Sequence, residues 1–316
     1  MEYLLKDWME QWLEFYCKNN VKLKTYIRYK EIIRDHVAES KLGNTTLNGL
    51  DSFQVQKFIF ELLKNGNIIN RKPLAANTIN LIVTVIKNAI ARAEDAGIID
   101  SNACMKIQRP KRTEKEVKAF TVKEQRRIVE VITLRNKIAD IGIMICLYIG
   151  IRLGEVLSLR WENVDLRNKT LTINSTVARI KLENGKYENY YTTAPKTHHS
   201  NRTIPLPENI VILLKITKKS SKSKFVVSNE DGTSITTRGY QSRLKTIEKI
   251  ANVSNLSFHS LRHTFATRAL ESGMDIKTLS EILGHKSPGV TLDRYVHSME
   301  ETKRKMINRA CRVTTN

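Results

Sequence analysis

Apolar positions in the first hundred residues fall into helical stripes. Leu5, Trp8, Trp12 and Tyr16 recur every three or four positions, and Tyr26, Tyr29, Ile33 and Val37 form a second stripe. Asp51 is placed to cap the segment SFQVQKFIFELLKNG, which stops at Gly66. Asn77 or Thr78 opens a longer apolar helix, TINLIVTVIKNAIARAEDAG, which ends at Gly97. Residues 1–108 therefore read as a small bundle of four helices.

The pattern lapses over 109–119, where Pro110 sits among basic residues without an apolar period, as in a linker. A second domain is expected over 120–316. It starts with Thr121 and Glu124, spaced as a capping box for the helix VKEQRRIVEVI. Ile138 to Ile151 reads as an almost wholly apolar, buried helix, and LGEVLSLRW as the next one, with Gly150 and Gly154 bracketing Arg152. After Asp165 the segments KTLTIN, KYENYYTTAP and NRTIPLP are β-rich and fit one small antiparallel sheet. Helices return from Pro207, interrupted by KSSKSKFVVSNEDGTSIT. Pro288 suits the first position of another helix, and EETKRKMINRACR fits a short basic one near the end. The expected class is mostly α with a small antiparallel β-sheet, and no internal repeat is present.

Charge adds a partner to this picture. Of the 316 residues, 53 are Lys or Arg and 32 are Asp or Glu, a formal net charge of +21 that points to a polyanion, most commonly nucleic acid. The excess is uneven: residues 1–110 carry 16 basic against 12 acidic side chains, and 111–316 carry 37 against 20. The run Lys215, Lys218, Lys219, Lys222 and Lys224 fits a phosphate-tracking or simply solvated face. Cys17, Cys104, Cys146 and Cys311 lie far apart, so neither a disulfide framework nor a zinc site is indicated. The longest uncharged apolar run, Ile141 to Ile151, falls short of the ~20 residues of a membrane span. Glu2, Lys6, Asp7 and Glu10 break up any signal peptide, so a cytoplasmic protein is expected.

A scattered polar set completes the picture: Arg152 in GIRLGE, Lys196 in APKTHHSNRTIPL, His259 and Arg262 in HSLRH, His285 in LGHKS, and Tyr295 in TLDRYVH. Each has an ordinary reading by itself: a structural ion pair, a solvated hairpin lysine, a loop histidine, a core aromatic. Together they are what a phosphodiester needs if a phenol is to attack it without a metal ion. Arginine binds two phosphate oxygens with a planar fork and stays charged. His259 and Arg262 share one helical face by their i, i+3 spacing. A phenol ionises near ~10, so Tyr295 needs cations or a base beside it to react at neutral pH. Glu155 is placed either to orient Arg152 or to cap the following helix, and His263 is read as packing or a backbone contact, not as catalytic. Tyr190 and Tyr191 are rivals by residue type but sit in an expected strand without such neighbours, and Lys181 and Lys186, upstream in an expected loop or turn, are alternatives to Lys196.

The segments GIRLGEVLSLRWENVD, HSLRHTFATRALESG and LGH…TLDRYVH resemble, in this order, the three motif boxes of the phage integrase (tyrosine recombinase) family. The resemblance implies a SAM-like, core-type DNA-binding bundle followed by a mixed α+β catalytic domain that together clamp duplex DNA. It implies that Arg152, Lys196, His259, Arg262, His285 and Tyr295 are catalytic, with Tyr295 as nucleophile, Lys196 as proton donor to the leaving 5′ oxygen and Glu155 in support. A 3′-phosphotyrosyl intermediate, integration or excision of a mobile element, and a tetramer on specific core sites are implied as well. So are accessory DNA-bending or directionality proteins, while neither cofactor nor metal is called for. A tail after Tyr295 that packs on a neighbouring subunit is expected by the same analogy. Two rivals keep the same residues or fold: a type IB-like topoisomerase and a non-catalytic DNA-binding protein. A metal-dependent nuclease would need a carboxylate cluster that the chain does not display. The bundle begins almost at Met1, as expected either of a recombinase acting on a core site alone or of a piece of a longer chain with an arm-binding domain.

Overall fold

The computed structural model describes residues 2–67, 70–104, 106–111, 118–181, 184–193 and 201–295, together with Ile307 and Cys311. The chain folds as two compact units, Met1–Lys115 and Glu116–Asn316.

The first unit contains the four expected helices: α1 (Leu5–Trp12), α2 (Leu23–Ile32), α3 (Ser52–Asn65) and α4 (Ala76–Asp95). A π-helical turn prolongs α1 over Leu13–Cys17 and α2 over Ile33–Val37, a widening that the apolar period did not reveal. Asp51 caps α3 as expected: its carboxylate accepts the Gln54 N–H at 2.7 Å, and the Gln54 side chain accepts the Asp51 N–H in return. Helix α4 begins slightly earlier than Asn77 or Thr78, because the free Ala75 carbonyl already accepts the Thr78 and Ile79 N–H groups. Its stripe of Ile79, Ile82, Val83, Ile86 and Ile90 is fully buried, as are Leu5 and Met9 of α1. The Trp8 indole donates to the Ala89 carbonyl at 2.7 Å, which satisfies the one polar atom that this buried ring brings into the core.

The second unit opens with α5 (Val122–Arg135), held at its start by the Thr121–Glu124 capping box. The apolar stretch expected as one helix begins as a 3₁₀ turn at Ile138–Asp140. It continues as α6 (Ile141–Ile149) and ends at Gly150, whose φ of 70° reverses the chain. Asp140, fully buried at this start, accepts Arg135 and Arg243 at 2.9 Å each. Helix α7 (Leu153–Ser158) is shorter than expected. Leu159 turns extended because its carbonyl accepts the Val226 N–H, while the Trp161 N–H reaches the Lys224 carbonyl; pairing with a distant segment displaces the last helical turn.

Two small antiparallel sheets replace the single expected one. Strands β1 (Val164–Asp165), β2 (Thr170–Ile173) and β5 (Arg202–Pro205) form the first in the order β1-β2-β5. The hairpin of β3 (Ser175–Lys181) and β4 (Tyr187–Thr193) forms the second. Strand β3 shows no clean alternation: Val177 and Ile180, three positions apart and so on opposite faces, are both buried. The remaining helices are α8 (Glu208–Ser220), α9 (Thr237–Ala251), α10 (Phe258–Glu271), α11 (Ile276–Leu283) and α12 (Pro288–Tyr295). Pro288 opens α12 as expected, whereas the basic helix anticipated near the end lies, apart from Ile307 and Cys311, outside the described residues. Among the described residues no helix is long and apolar enough to cross a membrane.

Helix α10 is tied to Phe120 from its middle and from its last turn. The Phe120 N–H donates to Thr264 Oγ1 at 2.9 Å, and Arg268 donates to the Phe120 carbonyl. The loop before α10 is held by carboxylates: Glu124 accepts the Ser254 N–H, and Glu248 accepts the Leu256 N–H at 3.1 Å. Glu248 is 1% exposed, and its second carboxylate oxygen has no protein partner. Burial pushes its carboxyl up to about 7 against the opposing pull of the Leu256 N–H and Lys245. The folded state therefore binds this proton more tightly than the unfolded chain does. The contribution is complete below about 4.5 and is lost as pH rises through about 7. Glu248→Gln should remove this loss and raise stability at pH 8 relative to wild type by on the order of 1–3 kcal/mol. Denaturant unfolding at pH 5 and pH 8 checks it; a variant with the same pH dependence as wild type would place the effect elsewhere.

Candidate active site

Three arginines from three separate stretches converge on the C-terminal end of α11. Arg202 donates to the Ile282 carbonyl at 2.7 Å, Arg262 to Leu283 at 2.7 Å, and Arg152 to Gly284 at 2.9 Å. The last carbonyls of a helix have no partner within it and carry the negative end of its dipole, so they attract cationic donors. Gly284 ends α11 in the left-handed conformation, φ 63°, and this turn delivers His285 next.

Each arginine is also fixed from a second side. Arg152 stands at the N-cap of α7, where its own N–H and its Nη1 both donate to the Glu155 carboxylate, at 2.9 and 2.8 Å. Arg202, the first residue of β5, meets the same carboxylate with two nitrogens, at 2.8 and 3.3 Å. Burial alone would raise the Glu155 carboxyl, but the Arg202 bond and charge, followed by Arg152, bring it down to about 2. Arg262, 2% exposed on α10, donates its other fork nitrogen to the Gly150 carbonyl at 2.9 Å. Glu155 thus both orients Arg152 and caps α7, the two uses that the sequence left open.

The histidines follow from the same helices. His259 lies on the exposed side of α10, with its ring edge-on to the buried His263 at 4.6 Å between centroids. His263 is buried on the same helix. His285 is 6% exposed, and its Nδ1 lies 2.7 Å from the hydroxyl of Thr291 on α12. Arg152, His259, Arg262 and His285 line one open cavity of about 410 Å³, together with Gly284, Lys286 and Val290. Four of the expected residues are thus brought together. Lys196 lies outside the described residues, and of Tyr295 only the backbone is described, as the last residue of α12. That helix reaches the cavity through Val290 and holds His285 through Thr291.

Arg202 and Thr291 were not singled out in the sequence. Neither shows a local signal, because their partners lie on other elements or in a turn of unknown course. Lys286 was visible only as the neighbour of His285.

The sequence profile of the phage integrase family matches residues 110–302, and that of the phage integrase N-terminal SAM-like domain matches residues 4–63. The chain belongs to the phage integrase family. As a member it is a tyrosine-class site-specific recombinase. Among its relatives, a XerC-like tyrosine recombinase of Caldanaerobacter subterraneus is 26% identical, over 95% of this chain and 80% of the relative. The tyrosine recombinase XerC of Oceanobacillus iheyensis is 27% identical, over 84% of this chain and 82% of its own length. The fold is shared with the Tn1549 transposon integrase solved in complex with transposon right end DNA. The TM-score is 0.81 at 20% identity, over 98% of this chain and 100% of the other.

In this integrase the backbone of Gly150 is a structural requirement of the site. A Cβ there would lie 2.3 Å from the Phe265 ring and 2.9 Å from Leu283, at a φ of 70° that side chains resist. Gly150→Ala should cost about 2–4 kcal/mol, from left-handed strain plus overpacking, and displace the carbonyl that holds Arg262. Gly97→Ala, at φ 68° with open space around it, should cost only ~1 kcal/mol. Chemical denaturation of the two variants checks the ranking; equal losses would mean that Phe265 and Leu283 yield freely.

Proposed function

We propose that the cavity binds the scissile phosphate of duplex DNA and that Tyr295 attacks it. The observation that carries this reading is the convergence of Arg152, Arg262, His259 and His285 on one open cavity lined by the first turn of the helix that ends in Tyr295. Two guanidiniums, one half-exposed and one buried, are held by carbonyls and a carboxylate before any substrate arrives. They therefore stabilise the dianionic phosphorane without reorganising, and preorganised charge of this kind usually contributes most to the rate. His285, pinned by Thr291, adds a donor to a phosphate oxygen.

The Tyr295 oxygen forms the bond to phosphorus and the bond to the 5′ oxygen breaks, leaving a 3′-phosphotyrosyl link. His259, exposed at the rim, takes the phenolic proton, and Lys196 supplies the proton that the departing 5′ oxygen needs. Attack by a 5′-hydroxyl from a partner strand reverses the step; the bond energy stays in the ester, so no nucleotide is consumed. Two such exchanges through a four-way junction, within a tetramer on paired core sites, integrate or excise a mobile element in the cytoplasm. The helical bundle of the first unit supplies the second hold on the core site. Accessory bending or directionality proteins act outside this chain.

The first experiment is covalent trapping in EDTA, using nicked duplexes that span the DNA beside the protein's own gene. Wild type should give a denaturation-resistant protein–DNA band, and Tyr295→Phe should lose it while retaining DNA binding. Arg152→Ala should slow its formation by ~10²–10³. A band that survives in Tyr295→Phe would overturn the nucleophile assignment. Products that are only relaxed, never rearranged, would favour a topoisomerase.

A further inference from the structure

We infer that Arg202 is a positioning residue for strand cleavage: it neutralises Glu155 from the buried side and so leaves the positive charge of Arg152 to the phosphate. The inference rests on the reading of the cavity as a phosphodiester site.

The three groups divide by exposure. The side chain of Arg202 is 8% exposed and that of Glu155 9%, whereas that of Arg152 is 41% exposed. All three guanidinium nitrogens of Arg202 face protein oxygens: Nε the Ile282 carbonyl, Nη1 and Nη2 the two oxygens of Glu155. Arg202 does not line the cavity; Arg152 does. One cation is thus a buried counter-ion and the other faces an incoming anion, although both touch the same carboxylate. A buried carboxylate must be neutralised by some partner or take up a proton. With Arg202 present, the set of two cations and one anion keeps a surplus positive charge, and that surplus sits on the exposed member. Without Arg202, Arg152 is the remaining partner of Glu155 and the surplus disappears.

The test uses the full chain with Arg202→Met, Arg202→Lys, Glu155→Gln and the double variant Glu155→Gln/Arg202→Met. Two quantities are read: the single-turnover rate of Tyr295-dependent adduct formation at saturating DNA, and the part of inorganic phosphate binding that Arg152→Ala abolishes. Arg202→Met should slow adduct formation by ~10²–10³, as for the loss of one electrostatic donor, and lose the phosphate increment. The double variant restores the surplus charge, so it should regain at least ~10-fold of that rate, together with the phosphate increment. A purely structural role predicts the opposite, because the double variant breaks more contacts; a double no faster than Arg202→Met overturns the inference. If Arg202→Met does not fold, Arg202→Lys decides. It keeps the charge and should keep the phosphate increment, and losing it would overturn the proposal. If wild type forms no Tyr295-dependent adduct, the recombinase reading of the cavity fails by itself. The phosphate measurement still decides the role of Arg202, and an increment unchanged in Arg202→Met refutes it.

Discussion

The site depends on the end of one short helix. Three successive carbonyls, of Ile282, Leu283 and Gly284, would be unsatisfied at the C-terminus of α11, and three arginines from β5, α10 and the start of α7 fill them. Each arginine gains a fixed acceptor, the helix end gains its missing donors, and the dipole favours the charge. The same turn, through Gly284, sets His285 against Thr291 of α12. Arg152, Arg262 and His285 thus share a single frame of reference. Movement of α11 would displace all three together.

Such a cluster is hard to desolvate, and its stability is not the reason to have it. Burying Glu155 costs several kcal/mol in general terms, which the two arginines offset only through close geometry. What the cluster provides is direction: the carboxylate draws one guanidinium inward and orients the other at the cavity wall. Asp140 offers a comparison in the same unit. It too is buried between two arginines, Arg135 and Arg243, but it lies at the start of α6 and serves the core. The two triads differ in place: Arg152 lines the cavity, and no member of the Asp140 triad does.

Local signals carried much of the fold. The Asp51 and Thr121 caps, the Pro288 helix start and the four helices of the first unit are written in neighbouring residues, because capping and helical periodicity act over three or four positions. Other departures come from remote partners. Helix α7 stops early because the Leu159 carbonyl finds Val226, and the split into two sheets follows from the pairing of β2 with β5. None of these partners lies within a window that a periodicity can span.

The residue types of the site, their order and their helical settings were determined by the sequence alone: Arg152 after an apolar helix, His259 and Arg262 one turn apart, His285 before a proline-started helix that ends in Tyr295. So was a strongly basic second half suited to a polyanion. Only the tertiary structure decided that Arg152, His259, Arg262 and His285 share one cavity, and that Arg202 stands behind them. The physical reason is that side-chain identity is local, whereas acceptors that orient these side chains are brought to them by packing between separate elements: Gly284 lies 132 residues from Arg152, Gly150 112 from Arg262 and Glu155 47 from Arg202.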